Sequence, residues 1–274
     1  SENFNEKGTS DSWTVLNNII VEKKLADNLN EANIFQSNSS KGALREILYE
    51  TNAQDLVNLY GDVFEIPLLT NDGVVIPEIG LKEALRSEKY LNKVPTIAGS
   101  NKDEIKLWLG FSKYFIETNN SFLYRGIGIP RVKIKDEEKY QFYNDIRSKG
   151  WQLRGVQEPL ENMFAAGNVD LYAYRYDWDN LRDFFVGDFR KIIGAAHALE
   201  IPMISGDFSL AEEFAWIIYP RSPSRRFVSK NMMNFWTEFA KNGSPGESSN
   251  GIFWNKYNPN IDKIILNIDE KKDL

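Results

Sequence analysis

Residues 94–104 read VPTIAGSNKDE, and this stretch decides the fold class. A short apolar run that ends in Gly-Ser-Asn is typical of a buried strand that leads into a loop. Residues 169–178 (VDLYAYRYDW) repeat the pattern, residues 264–268 (IILNI) offer a third strand, and helical patterns lie around 106–119 and 137–149. Separated buried strands with longer helices predict an α/β architecture with a mainly parallel sheet. So few strands for so many helices indicate that part of the sheet lies outside this chain.

The clearest helix signals lie near the C-terminus. Ser222-Pro223 is typical of a helix start, because serine caps the first backbone N–H groups and proline tolerates the first turn. Gly243 followed by Pro245 is typical of a helix end. No repeat or interdomain linker stands out, so residues 1–274 are predicted to belong to a single domain.

Composition excludes several classes of function. The 274 residues carry a net charge of −6 and no long basic block, so we expect no nucleic-acid partner. The chain has no cysteine and one histidine, which excludes disulfides, thiolate catalysis and Cys- or His-rich metal sites within it. No run of about 18 apolar residues predicts a membrane span. The first residues lack the apolar core of a signal peptide, and the compartment stays open.

Polar residues follow the first two predicted strands. Asn101-Lys102-Asp103-Glu104 comes after the first strand, and His197 follows the second within IIGAAHALEIPMISGDF (192–208). Taken alone, the charged tetrapeptide fits a solvated helix start, and the histidine fits a core imidazole bonded to backbone. However, functional groups of open α/β sheets gather beyond the carboxyl ends of strands. An acid after one strand and a histidine after a later one match the order found in α/β-hydrolases.

Four blocks of sequence resemble the type B carboxylesterase (cholinesterase-like) family. They occur in family order from about Asp72 onward, and they are residues 94–104, 172–178 (YAYRYDW), 194–202 (GAAHALEIP) and 234–245 (NFWTEFAKNGSP) with 254–257 (WNKY). Each block by itself is weak, but together they are specific. The resemblance implies an α/β-hydrolase fold and carboxylic-ester hydrolysis through an acyl-enzyme, with no metal or other cofactor.

The resemblance also implies roles for individual residues. Glu104 corresponds to the acid of a Ser-His-Glu triad and His197 to the general base, with the neighbouring Asp103 as the fallback for the acid. Glu200 lies where the family has a glutamate that supports the site from behind, although a buried structural hydrogen bond explains it equally well. Ile105 departs from the family, which usually has glycine there.

The nucleophile is missing from this sequence. The 274 residues contain no Gly-x-Ser-x-Gly motif, and they contain no Gly-rich oxyanion loop. Residues 8–12 (GTSDS) come nearest but lack the final glycine and the preceding strand that a nucleophile elbow needs. Instead, residues 8–13 resemble the turn just after the elbow, which leads into a helix with a tryptophan. The chain therefore resembles the C-terminal portion of a hydrolase domain, as a mature product or a fragment would.

We therefore expect His197 and Glu104 to act on a serine from a separate N-terminal segment, with a small-molecule ester as substrate. The chain alone is expected to be inactive. The alternative is a non-catalytic cholinesterase-like interaction protein or an inactive fragment. The aromatic residues around the site are also open to two interpretations. They can line an acyl or alcohol pocket, but helical spacing favours the core for all four: Trp108, Phe111, Phe115 and Trp151.

Overall fold

The computed structural model describes residues 2–59, 71–119, 130–209, 214–260 and 265–269. The chain divides into two units, Ser1–Ala84 and Leu85–Leu274. The first unit is helical in its described part, and the second contains the β-sheets and every residue predicted for the site. That all 274 residues form one hydrolase domain stays a prediction.

The described part of the first unit contains α1 (Glu2–Glu22), α2 (Leu29–Asn38), α3 (Lys41–Tyr49) and α4 (Ala53–Leu59), and a short fifth helix (Leu81–Leu85) begins in it. Side-chain oxygens of Asn28 and Ser40 accept hydrogen bonds from the first turns of α2 and α3, which caps both helices. A small apolar cluster of Leu16, Ile20, Ala32 and Leu44 joins α1 to α3. Because α1 is continuous from residue 2 to residue 22, the turn expected at residues 8–13 was wrong.

A three-stranded parallel sheet forms the centre of the second unit. Strands β1 (Thr96–Asn101), β4 (Leu171–Tyr176) and β7 (Ile265–Ile268) lie in the order β1-β4-β7, which confirms the three predicted strands. Gly99 lies opposite Tyr174, and a Cβ atom added there would lie 2.1 Å from the tyrosine ring. Glycine is therefore required so that the aromatic ring can cross β1.

Two short antiparallel pairs lie beside the main sheet. Strand β2 (Ile116–Asn119) pairs with β3 (Arg131–Ile134), and β5 (Asp183–Phe184) pairs with β6 (Gly187–Asp188). The helix predicted over 106–119 was therefore wrong beyond residue 109. Phe115 and Ile116 are buried with residues of β3 and the following helix, and this tertiary packing outweighs the local helical pattern.

The remaining described helices belong to the second unit, except that the first of them begins in the first unit. The longest two are α7 (Glu137–Gln152), which continues through a π-helical turn (Leu153–Gln157), and α12 (Pro223–Asn242). Ser222 caps α12 and Gly243 ends it at φ 70°, as the sequence predicts. The shorter helices are α5 (Leu81–Leu85), α6 (Lys106–Leu109), α8 (Glu158–Ala165), α9 (Phe189–Ile192), α10 (Ile201–Ser205) and α11 (Ala215–Ile218).

An aromatic core fixes the sheet against α12. Trp254 is almost fully buried, its ring lies at 5.3 Å from that of Phe235, and its indole N–H donates to the carbonyl of Ala173 in β4 at 3.1 Å. Each large side chain buried in this way contributes roughly 2–3 kcal/mol. The carboxyl ends of β1 and β4 therefore lie side by side on a rigid base, and the loops that follow them meet at the same edge.

Candidate active site

The loop after β1, residues 101–104, holds Glu104 in a fixed position. The side chain is buried, and its Oε1 accepts a hydrogen bond from the backbone N–H of Asn101 at 2.7 Å. The backbone N–H of Lys102 donates to the carbonyl of Tyr176 at the end of β4. This loop is therefore attached to two strands, and the carboxylate of Glu104 cannot swing into solvent.

The loop that carries His197, residues 194–200, runs directly against the first loop. Asp103 and Ala195 are joined twice, because the N–H of Asp103 donates to the carbonyl of Ala195 at 3.0 Å and the N–H of Ala195 donates to Oδ2 of Asp103 at 3.1 Å. The N–H of His197 donates to the carbonyl of Glu104 at 3.3 Å. The two loops thus hold each other at a set spacing.

Glu104 and His197 form a hydrogen-bonded dyad. Nδ1 of His197 lies 2.7 Å from Oε2 of Glu104, and 40% of the His197 side chain is exposed whereas 5% of the Glu104 side chain is. An ionised carboxylate only accepts hydrogen bonds, so Nδ1 carries the proton and Nε2 keeps its lone pair. The dyad can therefore accept a proton at Nε2 from a group on the exposed side of the ring.

Burial raises the pKa of Glu104 above its ordinary value. The hydrogen bonds from Asn101 and His197 act in the opposite direction, and the charge of nearby Glu200 adds to the rise. Desolvation disfavours the charged carboxylate, whereas the positive charge of a protonated His197 would favour it. The carboxylate is therefore poised to stabilise an imidazolium as it forms.

Asp103, the fallback acid, faces away from the imidazole. It is almost fully buried, and Oδ1 lies 3.1 Å from Nζ of Lys106 and accepts a hydrogen bond from Nδ2 of Asn144 at 2.7 Å. With the bond from Ala195, both oxygens are used within the protein. The structure thus places Glu104, and not Asp103, against His197. Asp103 instead anchors a buried cluster that we call the clamp, which consists of Asp103, Lys106, Asn144 and Ala195.

Glu200 lies behind the dyad and reaches it through Asn101. Nδ2 of Asn101 donates to Oε2 of Glu200 at 2.5 Å and to the carbonyl of Ala196 at 2.6 Å, while the N–H of Asn101 holds Glu104. Asn101 therefore connects both glutamates to the histidine loop. The sequence analysis named Asn101 in the segment after the first strand but assigned it no role, although its place between the strand and the two acids was a usable signal.

Two tryptophans flank the imidazole. The rings of Trp108 and Trp151 each lie 5.2 Å from that of His197, and they lie 5.9 Å from each other. The core interpretation was wrong for both, since Trp108 is 49% and Trp151 39% exposed. It was also wrong for Phe111, which is exposed, and was confirmed for Phe115. Helical spacing alone does not reveal which indoles meet a loop from elsewhere in the chain.

A groove begins beside the dyad. Its volume is about 690 Å³, and Ile105 and Trp151 line it together with Ile146 and Leu153. Ile105 directly follows Glu104, and Trp151 contacts His197, so the groove and the dyad share a wall. An apolar group attached to a reacting atom near His197 can lie in this groove.

Other kinds of site have no counterpart in the described ranges. Across residues 2–59, 71–119, 130–209, 214–260 and 265–269, no three acidic or histidine side chains converge to hold a metal ion. In the same ranges, no helix is long and apolar enough to cross a membrane. Lys106 and Asn144 of the clamp escaped the sequence analysis, and for Asn144 no local signal exists because it lies on α7, far along the chain from Asp103.

Known proteins resemble this chain in sequence. Residues 132–273, more than half of it, match the model of the carboxylesterase family. Mouse carboxylesterase 1C is 25% identical over 87% of this chain and 46% of its own length. Mouse carboxylesterase 1D is 28% identical over 64% of this chain and 33% of its own length. The chain thus spans about half or less of the length of these relatives.

Solved structures show the same fold. The Geobacillus stearothermophilus carboxylesterase EST55 superimposes with a TM-score of 0.51 and 20% identity, covering 82% of this chain and 46% of its own. A PNB esterase gives a TM-score of 0.51 with 15% identity, over 88% of this chain and 50% of its own. The architecture is that of an α/β-hydrolase, represented by part of its parallel sheet with the surrounding helices. The sequence match and the fold agree, and the chain belongs to the carboxylesterase family.

Proposed function

We propose that this chain supplies the general base His197 and the acid Glu104 of a carboxylic-ester hydrolase whose nucleophilic serine lies on a separate N-terminal segment. The observation that carries the proposal is the 2.7 Å contact between Nδ1 of His197 and Oε2 of Glu104, beside a partly exposed imidazole. Family membership supports the reaction class. No metal or other cofactor takes part in the proposed steps.

The proposed reaction has two halves. Nε2 of His197 takes the proton of the serine hydroxyl as its oxygen attacks the ester carbonyl, and the imidazolium then protonates the leaving alcohol. In the second half, Nε2 deprotonates a water that attacks the acyl-enzyme. The imidazolium then returns this proton to the serine oxygen as the carboxylic acid leaves, and the acid ionises in solvent. Glu104 keeps the proton on Nδ1 throughout and stabilises the imidazolium.

The sheet has an edge at which a further strand can be added. In the described part of the chain, β1 pairs with β4 along one edge only. An unpaired strand edge is a template for another strand. The Gly-x-Ser-x-Gly elbow is absent from these 274 residues, and we propose that the N-terminal segment adds its sheet at the edge of β1 that is unpaired among the described residues.

The surroundings of the dyad suggest the kind of substrate. Trp108 and Trp151 present exposed indoles beside His197, and the groove next to them is lined mainly by apolar groups. We propose that they hold the acyl or alcohol part of a small ester with an apolar body. Aromatic and aliphatic surface of this kind contributes about 25 cal/mol for each Å² of ligand that it covers.

A reconstitution assay tests the proposal. The chain alone should not hydrolyse p-nitrophenyl esters, whereas the chain together with its N-terminal segment should do so and should react with a fluorophosphonate at the serine. His197→Ala should lower turnover of the reconstituted enzyme by roughly 10⁵-fold or more, since removal of a triad base has effects of this order. Ile201→Ala, a truncation of a half-exposed side chain just beyond the same loop, serves as the control.

Three results would contradict the proposal. Hydrolysis by the isolated chain that is lost in His197→Ala would reveal a nucleophile within these residues. Turnover of the reconstituted enzyme that survives His197→Ala would remove the general base. An assembled protein whose elbow has glycine or alanine in place of serine, and which is inert to the fluorophosphonate, would favour the alternative of a non-catalytic interaction protein.

A further inference from the structure

A second groove in the second unit is lined by arginines and aromatic rings. We call it the arginine groove. Its volume is about 490 Å³, and its wall includes the side chains of Arg182, Phe208, Trp216, Tyr219, Arg221 and Arg225. They come from the segments before β5, after α10, along α11 and at the start of α12. None of them belongs to the Glu104–His197 dyad or the clamp.

The three guanidinium groups lack carboxylate partners among the described residues. Arg225 donates to the carbonyl of Tyr219 at 2.8 Å and lies 4.3 Å from the centre of the Phe208 ring, and Arg182 lies 5.7 Å from that of Trp216. By contrast, Arg175 elsewhere in the unit forms a two-pronged ion pair with Asp177. The groove therefore holds Arg182 and Arg225 on aromatic faces, and it leaves the charge of all three arginines uncompensated by ion pairs in the described part of the chain.

Among the described residues, the charges around this groove repel one another. The first turn of α12 has no acidic residue and carries Arg225 and Arg226, although a helix start favours negative charge. Partial burial, followed by the charges of Arg221 and Arg226, lowers the pKa of Arg225. Although the chain has a net charge of −6, this part of it concentrates positive charges that repel one another. An anion bound between the arginines would relieve that repulsion.

The aromatic side chains define the rest of the ligand. Trp216 is 41% exposed and Phe208 is partly exposed, so both offer apolar surface beside the guanidinium groups. We propose that the arginine groove binds an organic anion, whose carboxylate or phosphate head contacts Arg221 and Arg225 and whose apolar body lies on Trp216 and Phe208. A guanidinium matches the two oxygens of either head group. This proposal does not depend on ester hydrolysis.

Calorimetric titration of the purified chain tests the proposal with four probes. Naphthoate and naphthyl phosphate combine an anionic head with an apolar body, naphthol has the body alone, and inorganic phosphate has the charge alone. We expect at least one of the two naphthyl anions to bind at one site at least tenfold more tightly than naphthol or inorganic phosphate, and the stronger one identifies the head group. Equal affinity for naphthol would overturn the role of the arginines, and equal affinity for inorganic phosphate would overturn that of the aromatic walls.

Variants locate the site. Arg225→Gln and Arg221→Gln should each weaken the naphthyl anion about tenfold, which corresponds to the loss of one charge-assisted contact. Arg221 is exposed, so we expect its variant to keep the fold. Arg45→Gln on α3 removes the same charge from a residue outside the groove and should leave the affinity unchanged. Binding that is unaltered in both groove variants would overturn the proposal.

Discussion

Asp103 and Glu104 are adjacent carboxylates in one loop, and they belong to two different environments. Asp103 points into the protein, where Lys106, Asn144 and the backbone of Ala195 use both of its oxygens. Glu104 points along the loop edge, where one oxygen is held by Asn101 and the other meets a partly exposed imidazole. The clamp is therefore closed on itself, whereas the dyad ends at a group that faces outward.

The different hydrogen-bond partners of Asp103 and Glu104 give these neighbouring acids separate roles. A carboxylate whose donors are all supplied within the protein stabilises the structure, because removing it leaves those donors unpaired. A carboxylate that holds a solvent-facing histidine leaves that ring able to exchange a proton. We therefore expect changes at Glu104 to affect activity more than stability, and changes at Asp103 to affect stability first.

Among the changes that compare the two carboxylates, the largest effect should come from Glu104→Gln in the reconstituted enzyme. The amide can still accept from Asn101, but its NH₂ group would donate to Nδ1 and select the wrong tautomer of His197, which should lower turnover about 10⁴-fold. Because His197 is the only histidine, its Nδ1–H gives one NMR signal, which should disappear in the variant. Glu238→Gln, at a partly exposed position of α12, is the control. Normal turnover in Glu104→Gln would remove Glu104 from the proposed triad.

Asp103→Ala should give the largest loss of stability. It leaves the buried ammonium of Lys106 without a partner, and uncompensated buried charges destabilise by about 3–5 kcal/mol. The free energy of unfolding in urea measures this effect. Asp170→Ala makes the same change in the exposed ion pair with Lys256 and should cost at most about 1 kcal/mol. Equal effects of the two substitutions would show that the clamp contributes no more than a surface ion pair.

Gly194→Ala should weaken the contact between the two loops. Gly194 has φ 54°, and a Cβ atom there would lie 2.4 Å from Oδ2 of Asp103, so we expect a loss of about 1–3 kcal/mol in urea unfolding. Gly150→Ala in α7 is the matched control, because a Cβ atom there meets nothing within 4 Å and alanine favours helices. A neutral Gly194→Ala would mean that the loops tolerate a different spacing.

The smallest effect concerns pH. Since the pKa of Glu104 is raised above its ordinary 4.5, the folded state binds more protons than the unfolded state just above that pH. The contribution of Glu104 to stability is therefore complete below pH 4.5 and declines as pH rises through the folded pKa. Glu104→Gln removes this titration, so its stability relative to the wild type should increase from pH 4 to neutrality. An opposite slope would mean that the bond to His197 outweighs burial.

Local sequence was sufficient where local physics dominates. The apolar runs that end in polar residues gave the three strands, and the pair Ser222-Pro223 with Gly243 gave the bounds of α12. The order of Glu104 and His197 also pointed to one site, because parallel strands bring their carboxyl ends to the same edge. These signals lie within a few residues or follow from a general rule of the fold.

Tertiary contacts explain what local pattern could not. Residues 116–119 carry a helix-compatible pattern but form a strand, because β3 is available for pairing and Ile134 for packing. Trp108 and Trp151 fit a core helix stripe equally well, and their contact with His197 depends on where the histidine loop crosses them.

The sequence by itself determined the α/β class, the resemblance to the family and His197 as the expected base, with Glu104 as the expected acid and Asp103 as its fallback. Only the tertiary structure decided which of Asp103 and Glu104 meets the imidazole. The two residues are adjacent in the sequence, and their side chains point in different directions from the same turn. The tertiary structure also decided that Lys106 and Asn144 complete the clamp, and that arginines without a carboxylate partner among the described residues line a second groove. Contacts between residues distant in sequence depend on packing, which no short stretch of chain specifies.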